Sequence, residues 1–263
     1  MKMKKKNDCP LSKKMTEEFV DYYPVGHSNR HTPVSAQNYR MFIEHGAGAR
    51  LYDVDGNEYI DYCIGYGPAA LGSAYEELAD SLIDLIKNQP TISLFFTEDD
   101  LKLGKLIREN VPCAEKIKFS MTGTEAVQVA IRIARAYTGK SMILKFAECF
   151  HGWADNIFGG AYYPDVPGMR TLHVPKTDGC YTLGRGQLAT QETLVIPFND
   201  FDILEDTFKK YGHLLAICHF EAVPINDYSI QPRPGYLEKI RELCDKYNVV
   251  MSMDEVLTGF RVG

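Results

Sequence analysis

Residues 117–146 read IKFSMTGTEAVQVAIRIARAYTGKSMILKF, and this stretch decides the fold. The apolar-flanked triplet Ile117-Lys118-Phe119 predicts a short strand. A hydroxyl-rich turn follows, then a helix from Thr124 to Tyr137 and a second strand from Met142 to Phe146. On the helix the long polar residues Gln128, Arg132 and Arg135 stand at i, i+4 and i+7. One narrow polar stripe on an otherwise apolar cylinder predicts a helix that is mostly buried. Strand, buried helix and near-continuous apolar strand make a unit whose connection favours parallel pairing.

The same rhythm extends outward. Leu194-Val195-Ile196, Leu214 to Phe220 and Val249 to Met253 predict three more strands, and Tyr236 to Tyr247 a helix after Pro234-Gly235. Upstream, Leu78, Leu82, Leu85 and Ile86 give helical spacing to Tyr75–Lys87. A further helix opens at Thr97, where Glu98, Asp99 and Asp100 suit a helix N-terminus, and stops near Asn110 before Pro112. From Leu51, LYDVDGNEYIDYCIG predicts a hairpin turning at Asp55-Gly56-Asn57. The stretch from Phe158 to Gln191, rich in Gly, Pro, Tyr and Thr, is the least readable part. The fold class is α/β, a mostly parallel sheet with helices on both faces.

A chain of 263 residues, 45% hydrophobic and 24% charged, is composed like a globular protein, which excludes a disordered chain, a coiled coil and a collagen-like fibre. The net charge is −6. Lys2, Lys4, Lys5 and Lys6 contribute four positive charges to it, so residues 7–263 carry −10. An acidic body argues against nucleic acid as a partner. The basic opening MKMKKKNDCP is followed by no apolar segment, and no run of about 18 apolar residues occurs, so neither a signal peptide nor a membrane span is expected. Seven cysteines, odd in number and never spaced CxxC, suit reduced thiols and a cytoplasmic location. No metal-ligating set is expected.

In parallel sheets ligands bind beyond the carboxyl ends of the strands, so the residues just after each strand carry the chemistry. Thr122-Gly123-Thr124 offers hydroxyls and free N–H groups at a helix N-terminus, a cradle for phosphate. An ordinary helix cap by Thr122 or Thr124 is the competing reading. Phe150 and His151, after the second strand, could stack on and polarise a flat heteroaromatic ring. Cys149 activated by His151 as a thiol nucleophile is a rival there. Glu221 and Asn226 follow another strand, and Asp254 closes Val249–Met253. An acid in that place needs a cation, such as a protonated pyridine nitrogen, or an arginine. Together these parts suit pyridoxal phosphate.

DEVLTGFR at 254–261, TGTEA at 122–126, CFHG at 149–152 and YDVDGNEYIDY at 52–62 resemble the class III pyridoxal-phosphate aminotransferases. Within that class the resemblance is strongest to glutamate-1-semialdehyde 2,1-aminomutase, over roughly residues 20–263. It implies the fold type I large domain over 71–263, an N-terminal segment over 1–70 belonging to a small domain, and a homodimer. By matching position, Thr122, Gly123 and Thr124 hold the phosphate, Phe150 stacks on the ring, and Val256 packs on its other face. Asp254 meets the ring nitrogen, Asn226 lies near the ring hydroxyl, and His151 and Glu221 complete the cofactor set. Arg30 and Tyr66 are the substrate candidates. Ala222 stands in place of the family proline, which puts the loop near Asn226 in question. Leu257 in place of a common glutamine favours the aminomutase-like branch.

The family's Schiff-base lysine has no counterpart up to Gly263, and Lys118 and Lys145 are expected to be structural. The resemblance therefore implies amino-group transfer on a small amino acid or keto acid, with residues 1–263 alone inactive. A lysine-less paralogue that binds cofactor or pairs with another subunit is the alternative.

Overall fold

A computed structural model describes residues 9–19, 21–23, 39–88, 95–147, 149–159, 185–225 and 229–261. The chain divides into two compact units, Met1–Glu98 and Asp99–Gly263. The first holds α1 (Pro10–Phe19), β1 (Ile43–Ala47), β2 (Arg50–Asp53), β3 (Glu58–Ile60) and α2 (Glu76–Asn88). Its three strands form an antiparallel sheet in the order β1-β2-β3. The hairpin turns where the sequence predicts it, with Gly56 in the left-handed region at φ 76°. Buried Asp53 ties this turn together, accepting from the amides of Asp55 and Asn57, the Asn57 side chain and the Tyr59 hydroxyl. Burial alone would raise its carboxyl, but those hydrogen bonds hold it below the usual range. Asp55 accepts from the Leu11 and Ser12 amides, so the turn also caps α1.

From Glu98 onward come α3 (Glu98–Asn110), α4 (Gly123–Thr138), β4 (Met142–Phe146), α5 (Gln187–Gln191), β5 (Thr193–Ile196), α6 (Phe201–Tyr211), β6 (Leu215–Glu221), α7 (Tyr236–Tyr247) and β7 (Val250–Asp254). The four strands are parallel in the order β5-β4-β6-β7. Helices cover both faces, as expected. On one, Val127, Ile131 and Ala134 of α4 pack on Ile143 and Ile217. On the other, Leu204 and Phe208 of α6 and Tyr236 and Ile240 of α7 close over Leu144, Phe146, Ile196 and Phe220. Each such aliphatic side chain contributes about 1.5–3 kcal/mol on burial.

Three expectations need correction. Ile117-Lys118-Phe119 forms no strand, because no neighbouring strand among the described residues offers it a ladder. Lys118 accordingly lies outside the sheet and is exposed. The helix α4 is buried along one stripe only. Val127, Ile131 and Ala134 are covered, whereas Ile133 and Tyr137 are 58% and 76% exposed. A helix lying on one sheet buries one face, and the sequence does not say whether a second layer covers the other. The sequence reading also lacks α1, α5 and α6, the last with Asp200 as its N-cap.

Candidate active site

The strands β4, β6 and β7 and the start of α4 deliver several of the predicted residues to one connected network. At the head of α4, Thr122 is the N-cap and forms a capping box. Its hydroxyl accepts from the Glu125 amide, while the Glu125 carboxylate accepts from the Met121 and Thr122 amides. The ordinary cap is therefore real. It nevertheless leaves the amides of Gly123 and Thr124, the first two of a 16-residue helix, without intrahelical acceptors. A Cβ built on Gly123 would meet nothing within 4 Å. The helix start is an open, amide-lined surface.

The segment after β4 crosses this helix start. Gly152 takes φ 92°, and a Cβ on it would lie 2.5 Å from Thr124 Oγ1 and 2.9 Å from Thr124 Cα. The adjoining Trp153 amide donates to Thr124 Oγ1 at 3.4 Å. Further along, Gln128 and Asn156 exchange amide hydrogen bonds of 2.9 and 3.2 Å. The loop is thus held against α4 at two levels.

The same loop reaches the strand ends. The Phe150 amide donates to Glu221 Oε1 at 3.2 Å, and the Ile225 amide donates to Oε2 at 3.1 Å. Burial raises the Glu221 carboxyl, although both amides oppose the shift. The Phe150 ring is half exposed and meets Phe158 edge-on at 5.9 Å. His151 is 2% exposed, with Nδ1 2.8 Å from Asp254 Oδ2. Burial drives its pKa down to about 3 against the pull of Asp254, so the ring is neutral and Nδ1–H donates. Burial alone would raise Asp254. The hydrogen bonds from His151 and the Val256 amide, with His219 close by, overcome that and hold it well below the ordinary carboxylate range. Val256 itself is 64% exposed beside it.

Thr124, Phe150, His151, Glu221, Asp254 and Val256 thus belong to one chain of contacts. Arg30 and Asn226 lie outside the described residues. Tyr66 lies in the first unit, where Ile64, Gly65 and Tyr66 all have positive φ, a strained run of the kind that gathers at functional sites. Cys149 is buried in the apolar core with Phe146 and Tyr236, while His151 serves Asp254. The Nδ1 of His151 is thereby committed to a carboxylate rather than to a thiol.

Two participants, His219 and Ser252, were missed by sequence reading. His219 lies with Nε2 3.7 Å from Asp254 Oδ2, and its Nδ1 is 2.9 Å from Ser252 Oγ. Lys145, expected to be structural, is fully buried and donates to the carbonyls of Cys149, Ile157 and Gly159 at 2.8, 3.1 and 2.8 Å. A signal was available. Each is a polar residue within an apolar strand, and His219 and Ser252 stand two positions before Glu221 and Asp254, on the same sheet face. The ligand atoms of His151, His219 and Asp254 all lie within 4.8 Å of one another. That spacing could admit a metal ion, but two of the three are already joined as hydrogen-bond donor and acceptor.

The model of the family "Aminotransferase class-III" matches residues 31–263. The chain belongs to the class III aminotransferases. Relatives in this family include the glutamate-1-semialdehyde 2,1-aminomutase of Persephonella marina (strain DSM 14350 / EX-H1), 38% identical over 222 residues, 84% of this chain and 50% of that one. Glutamate-1-semialdehyde 2,1-aminomutase 2 of Staphylococcus haemolyticus (strain JCSC1435) is 36% identical over 223 residues, 85% of this chain and 50% of that one. The chain spans about half the length of the curated relatives it matches. Among solved structures, an omega-transaminase from Sphaerobacter thermophilus is 30% identical with a TM-score of 0.80, over 94% of this chain and 55% of that one. A transaminase with PLP bound is 26% identical with a TM-score of 0.80, over 96% and 56%. The class III fold is the fold type I of pyridoxal-phosphate transaminases, and pyridoxal phosphate is the family's cofactor.

Proposed function

We propose that the chain supplies a pyridoxal-phosphate site for amino-group transfer of the glutamate-1-semialdehyde aminomutase type, acting on a small amino acid or keto acid. The observation that carries this reading is the Asp254 carboxylate, kept anionic at the end of a parallel strand while the open helix start of α4 lies in the same network. The donor set fits the cofactor. A phosphate suits the Gly123 and Thr124 amides with the Thr122 and Thr124 hydroxyls, a protonated pyridine suits Asp254, and a flat ring suits the exposed Phe150 side chain and Val256. When bound, the cofactor's protonated ring draws electrons from the carbon that bears the amino group.

The chain's own residues do the rest by holding and orienting. Asp254 keeps a proton on the ring nitrogen, and His151 fixes the carboxylate's direction through its Nδ1–H. Glu221, by accepting from Phe150 and Ile225, sets the backbone that carries the stacking ring. Asn226 contributes near the ring hydroxyl, with Arg30 and Tyr66 as substrate contacts and residues 1–70 as part of the small domain. Within residues 1–263, the buried Lys145 cannot serve as an amine nucleophile, because its ammonium protons are directed at three carbonyls. Residues 1–263 by themselves are accordingly inactive in transamination. The partner is a second copy of the chain, a reading supported by the exposed apolar residues Leu78, Leu82, Ile83 and Ile86 on α2. Among the described residues no helix is long and apolar enough to cross a membrane.

The test uses Trp153, the sole tryptophan, whose amide already touches Thr124. Its fluorescence should be quenched on titration with pyridoxal phosphate, and Asp254→Ala should weaken that binding by tenfold or more, since an unpaired buried charge costs a few kcal/mol. Equal affinity in both proteins would sink the assignment. Borohydride reduction with peptide mapping checks the lysine claim. A stoichiometric adduct on one lysine, with turnover of an amine donor, would refute it.

A further inference from the structure

The face of the sheet beneath α4 changes character along its strands. β6 and β7 pair in register, with Ile217 opposite Val250, His219 opposite Ser252 and Glu221 opposite Asp254. One apolar layer is followed by two polar layers, and the second of these ends in the two acids. His219 is 3% exposed, and its Nε2 is buried without a hydrogen-bond partner. The nearest anion is Asp254 Oδ2 at 3.7 Å. The His151 ring meets the His219 ring edge-on at 4.3 Å between centroids.

A neutral imidazole has two tautomers, and the neighbours choose between them. With the proton on Nδ1, that nitrogen would donate to Ser252 Oγ, and Nε2 would turn a lone pair towards an anionic carboxylate. Two acceptors would then face each other in a site of low dielectric, which is unfavourable. With the proton on Nε2, the Ser252 hydroxyl donates to Nδ1 and an N–H faces the carboxylate. The second arrangement satisfies Nδ1 and turns a donor, not a lone pair, towards the carboxylate. A carboxylate has about four acceptor positions. His151 then occupies one on Oδ2, the Nε2–H of His219 faces the other from 3.7 Å, and the Val256 amide takes one on Oδ1. A single lone pair remains, on Oδ1.

We propose that His219, fixed by Ser252, is a positioning residue that places the one vacant lone pair of Asp254 on Oδ1 and so selects a ligand carrying a ring N–H, a protonated pyridine. The proposal rests on the reading of Asp254 as the partner of the cofactor's ring nitrogen, and it assigns a role to two residues outside the motifs that identify the family. A structural role alone would need only volume at position 219, whereas this role needs an N–H at one point. Gln at 219 can offer an amide N–H near the place of Nε2, and Leu fills the volume with no donor.

Two measurements on the full chain test it. Long-range proton–nitrogen NMR of the ligand-free protein should show His219 protonated on Nε2 and bare on Nδ1; the opposite tautomer overturns the proposal. The second compares binding of pyridoxamine phosphate with an analogue in which carbon replaces the ring nitrogen, read by Trp153 fluorescence. Wild type should favour the nitrogen ring, His219→Leu should lose about tenfold of that preference, and His219→Gln should keep most of it. An unchanged preference in His219→Leu overturns the positioning role. Absence of any preference in wild type overturns the Asp254 reading itself, and this proposal with it.

Discussion

Replacing Gly152 with alanine should damage the fold and the site together, and the structure lets the two contributions be separated. At φ 92° any residue with a Cβ is strained by about 1–2 kcal/mol. The added methyl would also lie 2.9 Å from Thr124 Cα, a backbone atom that cannot rotate away. Overpacking of this kind costs about 1–3 kcal/mol. The sum is about 2–5 kcal/mol, which for a unit of this size lowers Tm by roughly 5–15 °C. Gly139 is the internal control. Its φ is 71°, and nothing lies within 4 Å of its built Cβ, so Gly139→Ala carries the backbone strain without the clash. Thermal and urea denaturation of both variants, followed by far-UV circular dichroism, should show Gly152→Ala losing clearly more stability. Its pyridoxal phosphate affinity should also fall, because the displaced loop carries Phe150 and His151. Equal stability losses in the two variants would refute the close packing of the loop on α4, and with it the account of how the site is held.

Gly123→Val should leave Tm almost unchanged, since its Cβ meets open space, yet weaken pyridoxal phosphate while sparing unphosphorylated pyridoxal; parallel weakening of both ligands in titration would make the turn a folding element only. Acid should destabilise the protein between about pH 6.5 and 3, since the unfolded chain protonates His151 there and the folded chain does not, so stability rises with pH across that window. Asp254, held low, extends the loss below about pH 4, while the raised carboxyl of Glu221 opposes it. Urea midpoints across that range check the sign, and His151→Phe should flatten the curve. Lys145→Met should cost about 2–4 kcal/mol in urea unfolding by leaving two buried carbonyls and one partly buried carbonyl without their donor, and a loss below 1 kcal/mol would show that they find other partners.

Much was readable in the chain because it is local. Alternating and continuous apolar runs specify β4, β5, β6 and β7 within a residue or two, since a strand buried on both faces tolerates few polar side chains. The Asp55-Gly56-Asn57 turn is readable for the same reason, because only particular residues adopt its backbone. Phe150, His151, Glu221 and Asp254 could be singled out because a parallel sheet presents ligands with the residues at and after its strand ends, and Thr122 because a hydroxyl residue there caps a helix. What no local rule contains is who meets whom. Whether Ile117–Phe119 joins a ladder depends on a neighbour remote in sequence, and the exposure of Ile133 and Tyr137 on α4 depends on what does or does not cover that face. The 2.8 Å pairing of His151 with Asp254, 103 positions apart, and the approach of His219 to the same carboxylate exist only once β4, β6 and β7 lie side by side. Sequence determines each residue's chemistry and backbone habit. Tertiary structure alone decides burial and partners, and those set the charge of Asp254 and the tautomers around it.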